Sequence, residues 1–449
     1  MIPQSEYLQR RQRLMALLPQ GSALLVASGT LMGRGNGTEY PFTQNSDFYY
    51  LTGFNEPNAW LYMSNLASEK AEQEEQKEQL ASENHWSVLF CQPKDKQMEI
   101  WHGRRLGVEN ACKALLVDEA KDVDELEEAL PGLLNNHEHV HFLLGSDNDN
   151  EALIFGAMQV LRNAPKQSKL APTSIVDLAP VLHEMRLIKS DWEVKTMRVA
   201  ADISCEAHKR AMRFSKPGAY EYQLEAEILH EFRMSGAQSV AYNTIVGSGE
   251  NACILHYTDN NDELKDGDLV LIDAGANYQG YAADITRTFP VNGKFTEEQT
   301  IIYNLVLESQ LKAMDLLVPG NDLKQAADKA IEVICSGLID LGILTGTVEE
   351  NIESLAWRAF FMHGLGHWLG LNVHDVGMYK IAGEDRPLEP GMVLTVEPGI
   401  YIDSEAECDD KWKGIGVRIE DNILITEKGN EVLTSAVPKV ISEIEALMT

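Results

Sequence analysis

The stretch VLIDAGANYQGYAADITRT at residues 270–288 decides the fold of the second half of the chain. It places Asp273 and Asp284 inside apolar runs that have the pattern of β-strands. A carboxylate buried without a partner destabilises a fold or shifts its pKa. If Tyr278-Gln279 is a two-residue loop, the stretch forms a hairpin in which Asp273 lies opposite Asp284, with Cβ atoms about 5 Å apart. Because like charges opposite each other destabilise a sheet, this register predicts a cation between the two carboxylates.

Two further carboxylates interrupt apolar strands in the same half of the chain. Glu397 follows a strand in VLTVEPG, and Glu420 lies within GVRIEDNILI, two residues after Arg418 on the same predicted face. Asp421 should point to the opposite face, where we expect it to be solvated. Each glutamate alone is typical of a strand edge or a surface. Four such carboxylates together predict a shared site.

Histidines add to this set. The segment MHGLGHWLGLNVHD contains His363, His367 and His374, and CILHYTDN contains His256. A single histidine is usually structural, but three within one short glycine-containing segment favour a site. The glycines argue against a regular helix, and the glutamate of an HExxH zinc motif is missing.

Oxygen-rich ligands with one imidazole suit a hard or borderline divalent ion. Mn²⁺ fits best, with Co²⁺ and Zn²⁺ as alternatives. Two ions about 3.5–4 Å apart can hold a bridging hydroxide and polarise a carbonyl group. We therefore predict two divalent metal ions.

The length of 449 residues predicts two domains. The mix of strand and helix patterns along the chain predicts the α+β class. The aperiodic segment NAPKQSKLAPTS at 163–174 separates them. We expect a smaller N-terminal α/β domain at 1–174. A catalytic domain at 175–449 should have an antiparallel sheet covered by helices. The acidic segment SEKAEQEEQKEQLASE at 68–83 is predicted to be a solvated insertion.

Composition limits the partners and the compartment. A net charge of −31 argues against nucleic acid as a partner. No run of about 18 apolar residues predicts a membrane span, and the N-terminal segment lacks the apolar core of a secretory signal. Six scattered cysteines without a CxxC motif indicate a reducing compartment, so we expect a cytoplasmic protein.

These motifs resemble the dinuclear-metal peptidases of pita-bread fold, and most closely the bacterial Xaa-Pro aminopeptidase (aminopeptidase P) family. The resemblance covers nearly the whole chain and implies a curved antiparallel sheet in the catalytic domain. It rests on these stretches: NSDFYYLTGFNEPNAWL, IWHGRRLG, NTIVGSGENACILHYTDN, DLVLIDAGANYQGYAADITRTFP, FFMHGLGHWLGLNVHDVG, LEPGMVLTVEPGIYI and GIGVRIEDNILIT. It departs from the family at Gly366, where serine is frequent.

The resemblance implies a set of metal ligands. Asp284 and Glu420 would bridge both metals. Asp273 would hold one metal, and His367 with Glu397 would hold the other. Glu397 would also carry a proton from the bridging water to the leaving nitrogen.

The resemblance also implies roles for residues around the metals. His256 and His374 would stabilise the tetrahedral intermediate and the scissile carbonyl. His363 would line the proline pocket, together with Tyr242. Arg418 would orient the ligand carboxylates.

Trp101, in IWHGRRLG, would reach the active site of a neighbouring subunit in a homodimer or homotetramer. The alternative reading of this residue is a tryptophan of the domain core.

The implied activity is hydrolysis of the N-terminal Xaa-Pro bond of peptides by a metal-bridging hydroxide. The main alternative is a prolidase, which cleaves only Xaa-Pro dipeptides and in some relatives also organophosphates. The short segment between Glu397 and Glu420 favours the aminopeptidase, because prolidases tend to carry a longer insertion there. A creatinase-like enzyme and a binding protein descended from a peptidase would both lack the complete ligand set.

Overall fold

The computed structural model describes residues 2–66 and 85–449, so the predicted acidic insertion at 68–83 lies outside the described residues. The chain divides into two compact units, Ile2–Met185 and Arg186–Thr449. This division lies within helix α7 (Ala179–Leu187), after the predicted boundary at 174, and residues 174–177 pair with His139–Phe142 of the N-terminal unit. Within the described residues, no helix is both long enough and apolar enough to span a membrane.

The N-terminal unit is a mixed sheet with helices. Its helices are α1 (Gln4–Leu17), α2 (Ser46–Thr52), α3 (Lys96–His102), α4 (Val108–Leu115), α5 (Leu126–Leu134) and α6 (Asn148–Arg162). Its strands are β1 (Ser22–Ala27), β2 (Gly33–Gly35), β3 (Thr38–Glu39), β4 (Trp60–Ser64), β5 (Trp86–Cys91), β6 (Glu119–Asp122), β7 (His139–Phe142) and β8 (Ser174–Asp177). Six of the strands form one sheet in the order β6-β5-β4-β1-β7-β8. This is the smaller α/β domain that the sequence predicts.

The C-terminal unit contains helices α8 (Asp191–Phe214), α9 (Glu221–Met234), α10 (Glu297–Met314), α11 (Leu323–Asp340), α12 (Val348–Ser354) and α13 (Ile441–Met448). Its first strands are β9 (Ser239–Val240), β10 (Ile245–Ser248), β11 (Leu269–Asp273), β12 (Ala276–Tyr278), β13 (Tyr281–Ala282) and β14 (Thr286–Pro290). They are followed by β15 (Lys380–Ile381), β16 (Glu384–Asp385), β17 (Val393–Val396), β18 (Gly399–Ile402), β19 (Ile415–Arg418), β20 (Asp421–Thr426) and β21 (Gly429–Val432). The strand pairs described in this unit are all antiparallel.

Helix α8 shows how the helices cover the sheet. Ser190 and Glu193 form a capping box at its start, which pairs the backbone N–H groups that a helix N-terminus leaves open. Buried residues recur along one side, including Met197, Ala201 and Met212. Of this face, Cys205 and Met212 pack into a core cluster with strand residues of β11 and β14. The α+β class is therefore confirmed.

The opening hairpin exists, but its predicted register is wrong. Tyr278 pairs with Tyr281, so the loop is Gln279-Gly280, and Asp273 lies opposite Thr286. Both loop residues have positive φ, 52° for Gln279 and 85° for Gly280. This backbone matches the twist of two-residue hairpins, and glycine adopts it without steric cost. The position of Gly280 therefore determines where the turn lies.

Candidate active site

One cavity of about 590 Å³ in the C-terminal unit is lined by most of the residues that the sequence analysis predicts to form the site. Ten of the eleven predicted site residues line it: Tyr242, His256, Asp273, Asp284, His363, His367, His374, Glu397, Arg418 and Glu420. The eleventh, Trp101, lies in the N-terminal unit and its surface is 81% exposed. Trp101 is therefore not a core residue of that unit.

The carboxylates of the site stand at the ends of strands. Asp273 is the last residue of β11, and Asp284 lies in the short gap between β13 and β14. Glu397 follows β17, and Glu420 lies between β19 and β20. Side chains from different strands therefore meet although they are far apart in sequence.

The imidazole of His367 is oriented for binding. Its Nδ1 lies 3.0 Å from the backbone oxygen of Trp368, to which it can donate, and this leaves Nε2 as the free ring nitrogen. Nε2 lies 3.5 Å from Asp284 Oδ2 and 3.4 Å from Glu397 Oε1. Burial acts to lower the pKa of His367, but the hydrogen bond and charge of Asp284, together with Glu397, raise it to about 9.

The buried carboxylates carry an excess of negative charge. Burial and the charge of Asp273 raise the pKa of Asp284 to about 6. Burial raises the pKa of Glu397 to about 7, with Asp284 adding to the shift. Burial and the neighbouring carboxylates also raise the pKa of Glu420 well above its ordinary value. Among the residues that the structure describes, Arg418 supplies the one guanidinium that lines the cavity beside the four carboxylates.

These residues fit a metal centre. One ligand atom from each of Asp284, His367 and Glu420 lies within 4.8 Å of the other two. The hydroxyl of Tyr242 lies 2.5 Å from an oxygen of Asp273 and 2.5 Å from one of Asp284. A hydroxyl has one proton, so it can donate to only one of these oxygens at a time. Divalent cations would relieve this crowding of oxygen atoms, since buried charges are stable only when paired.

A hydrogen-bonded network supports the carboxylates from behind. Arg418 Nη2 donates to Asp273 Oδ2 at 2.7 Å, and Arg418 Nε donates to the Thr286 hydroxyl at 3.0 Å. Thr286 in turn donates to Glu420 Oε2 at 2.7 Å. Arg418 Nη1 donates to the hydroxyl of Tyr401 at 3.1 Å. One guanidinium thereby connects two carboxylates and a phenol.

Three other polar residues contribute that the sequence did not single out. The hydroxyl of Thr395 donates to Glu397 Oε1 at 3.1 Å. The carboxamide of Asn422 bonds to both the backbone N–H and the carbonyl oxygen of Asp284. Tyr401 is the third. Their residue types are ordinary in strands and loops, and no local pattern distinguishes them.

The expectation that Asp421 is solvated is wrong, because its surface is 0% exposed. Its Oδ1 accepts from Arg287 Nη2 and its Oδ2 from Lys439 Nζ, each at 2.7 Å. The face opposite Glu420 is covered by the helix side of the unit, where Gln310 of α10 also donates to Asp421. These cations hold the pKa of Asp421 below its ordinary value although burial opposes them.

The histidines around the carboxylates differ in the contacts that hold their rings. His363 Nδ1 lies 2.9 Å from the carbonyl oxygen of Gly364, and Nε2 lies 2.8 Å from the Tyr401 hydroxyl. Burial, with the charge of Arg418, lowers the pKa of His363 to about 4, so the ring is neutral near pH 7. His374 packs edge-on against His367 with ring centroids 4.1 Å apart.

Comparison with known proteins agrees with this site. The profile of metallopeptidase family M24 matches residues 195–427, and that of the aminopeptidase P N-terminal domain matches residues 7–142. The chain is 49% identical to the Xaa-Pro aminopeptidase of Escherichia coli (strain K12), over 100% of this chain and 98% of the relative. It is 48% identical to the Xaa-Pro aminopeptidase of Haemophilus influenzae, with the same coverage.

Solved structures give the same result. The chain superposes on Zn-substituted E. coli aminopeptidase P in complex with product with a TM-score of 0.94 and 48% identity, covering 100% of this chain and 98% of that one. For proline aminopeptidase P II from Yersinia pestis the TM-score is 0.93 and the identity 49%, covering 100% and 99%. The resemblance inferred from the sequence is thus confirmed, and the chain belongs to metallopeptidase family M24, in its aminopeptidase P branch.

Proposed function

We propose that this chain is an aminopeptidase that hydrolyses the bond between an N-terminal residue and a proline in second position. One observation carries the proposal: four carboxylates and four histidines from distant segments line a single cavity. Similarity along the full chain to proteins named Xaa-Pro aminopeptidases supports it.

Two divalent cations complete the proposed site. Asp284 and Glu420 would be shared between them, Asp273 would hold one, and His367 with Glu397 would hold the other. Mn²⁺ suits this oxygen-rich set best, with Co²⁺ or Zn²⁺ as alternatives. Bound cations of this kind supply Lewis-acid polarisation of the scissile carbonyl and activation of water.

Glu397 transfers the proton. A carboxylate that lines the cavity can act first as a general base and then as a general acid. It accepts a proton from the attacking water and delivers it to the proline nitrogen as the bond breaks. The hydroxyl of Thr395 holds one of its oxygens in place.

The histidines stabilise and orient the substrate. His256 and His374 donate hydrogen bonds to the tetrahedral intermediate and to the scissile carbonyl. Both ring nitrogens of His363 are already engaged, so this residue presents a neutral ring surface to proline, beside Tyr242. Arg418 holds Asp273 in place through the hydrogen bond from its Nη2 to Asp273 Oδ2.

Substrate length distinguishes this function from that of a prolidase. A prolidase must bind the free carboxylate of proline, which requires a cationic group that closes the site. We expect tripeptides and pentapeptides that begin Xaa-Pro to be cleaved at least as efficiently as Xaa-Pro dipeptides, as measured by kcat/KM. Cleavage of the dipeptide alone would make the protein a prolidase and overturn the proposal.

We further propose a cytoplasmic homodimer or homotetramer assembled through the N-terminal unit, with peptides as substrates. Helix α3 has no buried residue, and Ile100 and Trp101 are 80% and 81% exposed on it. An exposed apolar pair of this kind is typical of an interface. Light scattering should show the oligomer, and Trp101→Ala should lower activity. A fully active monomer would contradict the assembly.

A further inference from the structure

The C-terminal unit buries a second group of charges, made of Asp375, Arg186 and Lys189 and called here the Asp375 triad. Arg186 Nη2 donates to Asp375 Oδ1 at 2.6 Å, and Lys189 Nζ donates to Oδ2 at 3.2 Å. The three side chains are 1–2% exposed. Desolvation makes buried ion networks costly, and apolar replacements are often equally stable or more stable. Stability alone is therefore a weak reason for this triad.

Asp375 ends the loop 368–375, which follows the site residue His367 and contains the site residue His374. The backbone N–H of Asp375 donates to the carbonyl oxygen of Trp368 at 2.9 Å, which joins the two ends of the loop. The N–H of Asn372 points at Asp375 Oδ1 from 3.4 Å.

Gly370 fits this arrangement closely. A Cβ atom at Gly370 would lie 2.1 Å from Asp375 Oδ2 and 3.0 Å from Lys189 Cε. The carbonyl oxygen of Gly370 accepts from the N–H of Ala282, two residues before Asp284. The loop is thus packed between the triad and the hairpin that carries the ligand candidates.

The cationic partners are themselves held in place. The backbone N–H of Lys189 donates to the carbonyl oxygen of Gly391 at 2.8 Å. Its ammonium group also donates to the carbonyl oxygen of Leu187, a residue that packs in the same core cluster as Trp368. The carboxylate of Asp375 is therefore fixed on a rigid support.

The ring of His374 depends on this support. Across the part of the chain that the structure describes, the ring packs against His367 and has no hydrogen-bond partner. The placement of this exposed ring therefore rests on its contact with His367 and on the position of the backbone that carries it, and the next residue along that backbone is Asp375.

We propose that Asp375, clamped by Arg186 and Lys189, is a positioning residue that fixes the backbone of His374 and so aims its imidazole at the scissile carbonyl. This inference rests on the proposed function, in which His374 acts on that carbonyl. The residue itself touches no reacting atom. Loss of the clamp should reduce turnover and leave substrate affinity and metal content almost unchanged.

The experiment compares Asp375→Asn with the unmodified protein in the Mn²⁺-loaded state, on an Xaa-Pro-Ala tripeptide. We expect kcat to fall about 10- to 100-fold, the range typical of a misplaced catalytic group, while KM and bound metal stay close to those of the unmodified protein. In a His374→Ala background the same substitution should have almost no further effect on kcat. Equal effects in both backgrounds, or an unchanged kcat, would overturn the proposal.

A charge-free variant keeps the test valid if Asp375→Asn folds poorly. Arg186→Met/Lys189→Met/Asp375→Leu replaces the whole network by apolar groups, which other proteins tolerate. We expect a near-normal Tm with kcat still reduced, and a folded variant with a normal kcat would overturn the positioning role.

Two controls separate the possible causes. Glu431→Gln breaks the bidentate and more exposed ion pair with Arg198 in the same unit, and it should leave kcat unchanged. A kcat reduced as much by Glu431→Gln as by Asp375→Asn would count against a specific role for the triad. If the unmodified protein fails to cleave Xaa-Pro peptides, the proposed function is wrong. If it cleaves them and Asp375→Asn is equally fast, only the positioning role is wrong.

Discussion

The hydroxyl of Thr286 should control how tightly the site holds its metal. Thr286 is fully buried in β14, accepts from Arg418 Nε at 3.0 Å and donates to Glu420 Oε2 at 2.7 Å. Thr286→Val keeps the shape of the side chain and removes both hydrogen bonds. Glu420 would then rotate more freely, and the Nε–H of Arg418 would be buried without a partner.

The magnitude follows from the charges of the two partners. A hydrogen bond to a charged group contributes about 1.5–3 kcal/mol. Since about 1.4 kcal/mol is a factor of ten in affinity, metal affinity should fall about 10- to 100-fold. That range agrees with the effect of other residues that orient metal ligands. Isothermal titration of the metal-free protein with Mn²⁺ would measure it.

Thr288 provides the matched control. It lies two residues further along β14 and is equally buried. Among the residues that the structure describes, its hydroxyl bonds only to the backbone of Arg418, donating to the carbonyl oxygen at 3.0 Å and accepting from the N–H at 3.2 Å. Thr288→Val should lower the free energy of unfolding by an amount similar to Thr286→Val, about 1–3 kcal/mol. Metal affinity should fall only in Thr286→Val. An equal loss of affinity in both variants would refute the orienting role of the Thr286 hydroxyl.

Three other predictions address the metals, the oxyanion and the pH dependence of stability. Chelation should abolish activity and Mn²⁺ should restore it, and full turnover in a metal-free sample, verified by elemental analysis, would contradict a metal mechanism. His256→Ala should keep its metal and lose about 10²–10³-fold in kcat, so a parallel loss of metal would make His256 a ligand. Burial lowers the pKa of His208 from 6.5 to about 4, so the unfolded chain takes up the proton first and stability should fall as the pH drops from about 6.5 to 4. His208→Gln should reduce that pH-dependent loss of stability by about 3 kcal/mol. Denaturant unfolding at the two pH values would measure the loss, and an equal loss in the variant and the unmodified protein would refute the prediction.

The sequence predicted the class of the fold because hydrophobic patterning is a local property. Strands such as LVLID, observed as Leu269–Asp273, are buried on both faces and read as continuous apolar runs. The hairpin register could not be obtained in the same way. A shift of the loop from Tyr278-Gln279 to Gln279-Gly280 changes which residue faces Asp273, and both registers place apolar residues acceptably. The positive φ of Gly280 distinguishes them, and turn chemistry was the weaker part of the prediction.

The site itself was predicted unevenly, for a physical reason. Asp284 and Glu420 could be found from the sequence because a carboxylate in an apolar strand is costly to bury unless a cation or hydrogen-bond donor pairs with it. Thr286 and Tyr401 could not be recognised from the sequence, because threonine and tyrosine are favoured in strands. Their hydroxyl groups find their hydrogen-bond partners only in the folded chain. The prediction that Asp421 is solvated was wrong for a related reason. Strand alternation indicates which face a residue occupies, but it does not indicate whether that face is covered, and here Arg287 and the helices of the unit cover it. Candidate metal ligands can thus be recognised in a single sequence, whereas the residues that hold those candidates in place are identified only from distances in the folded structure.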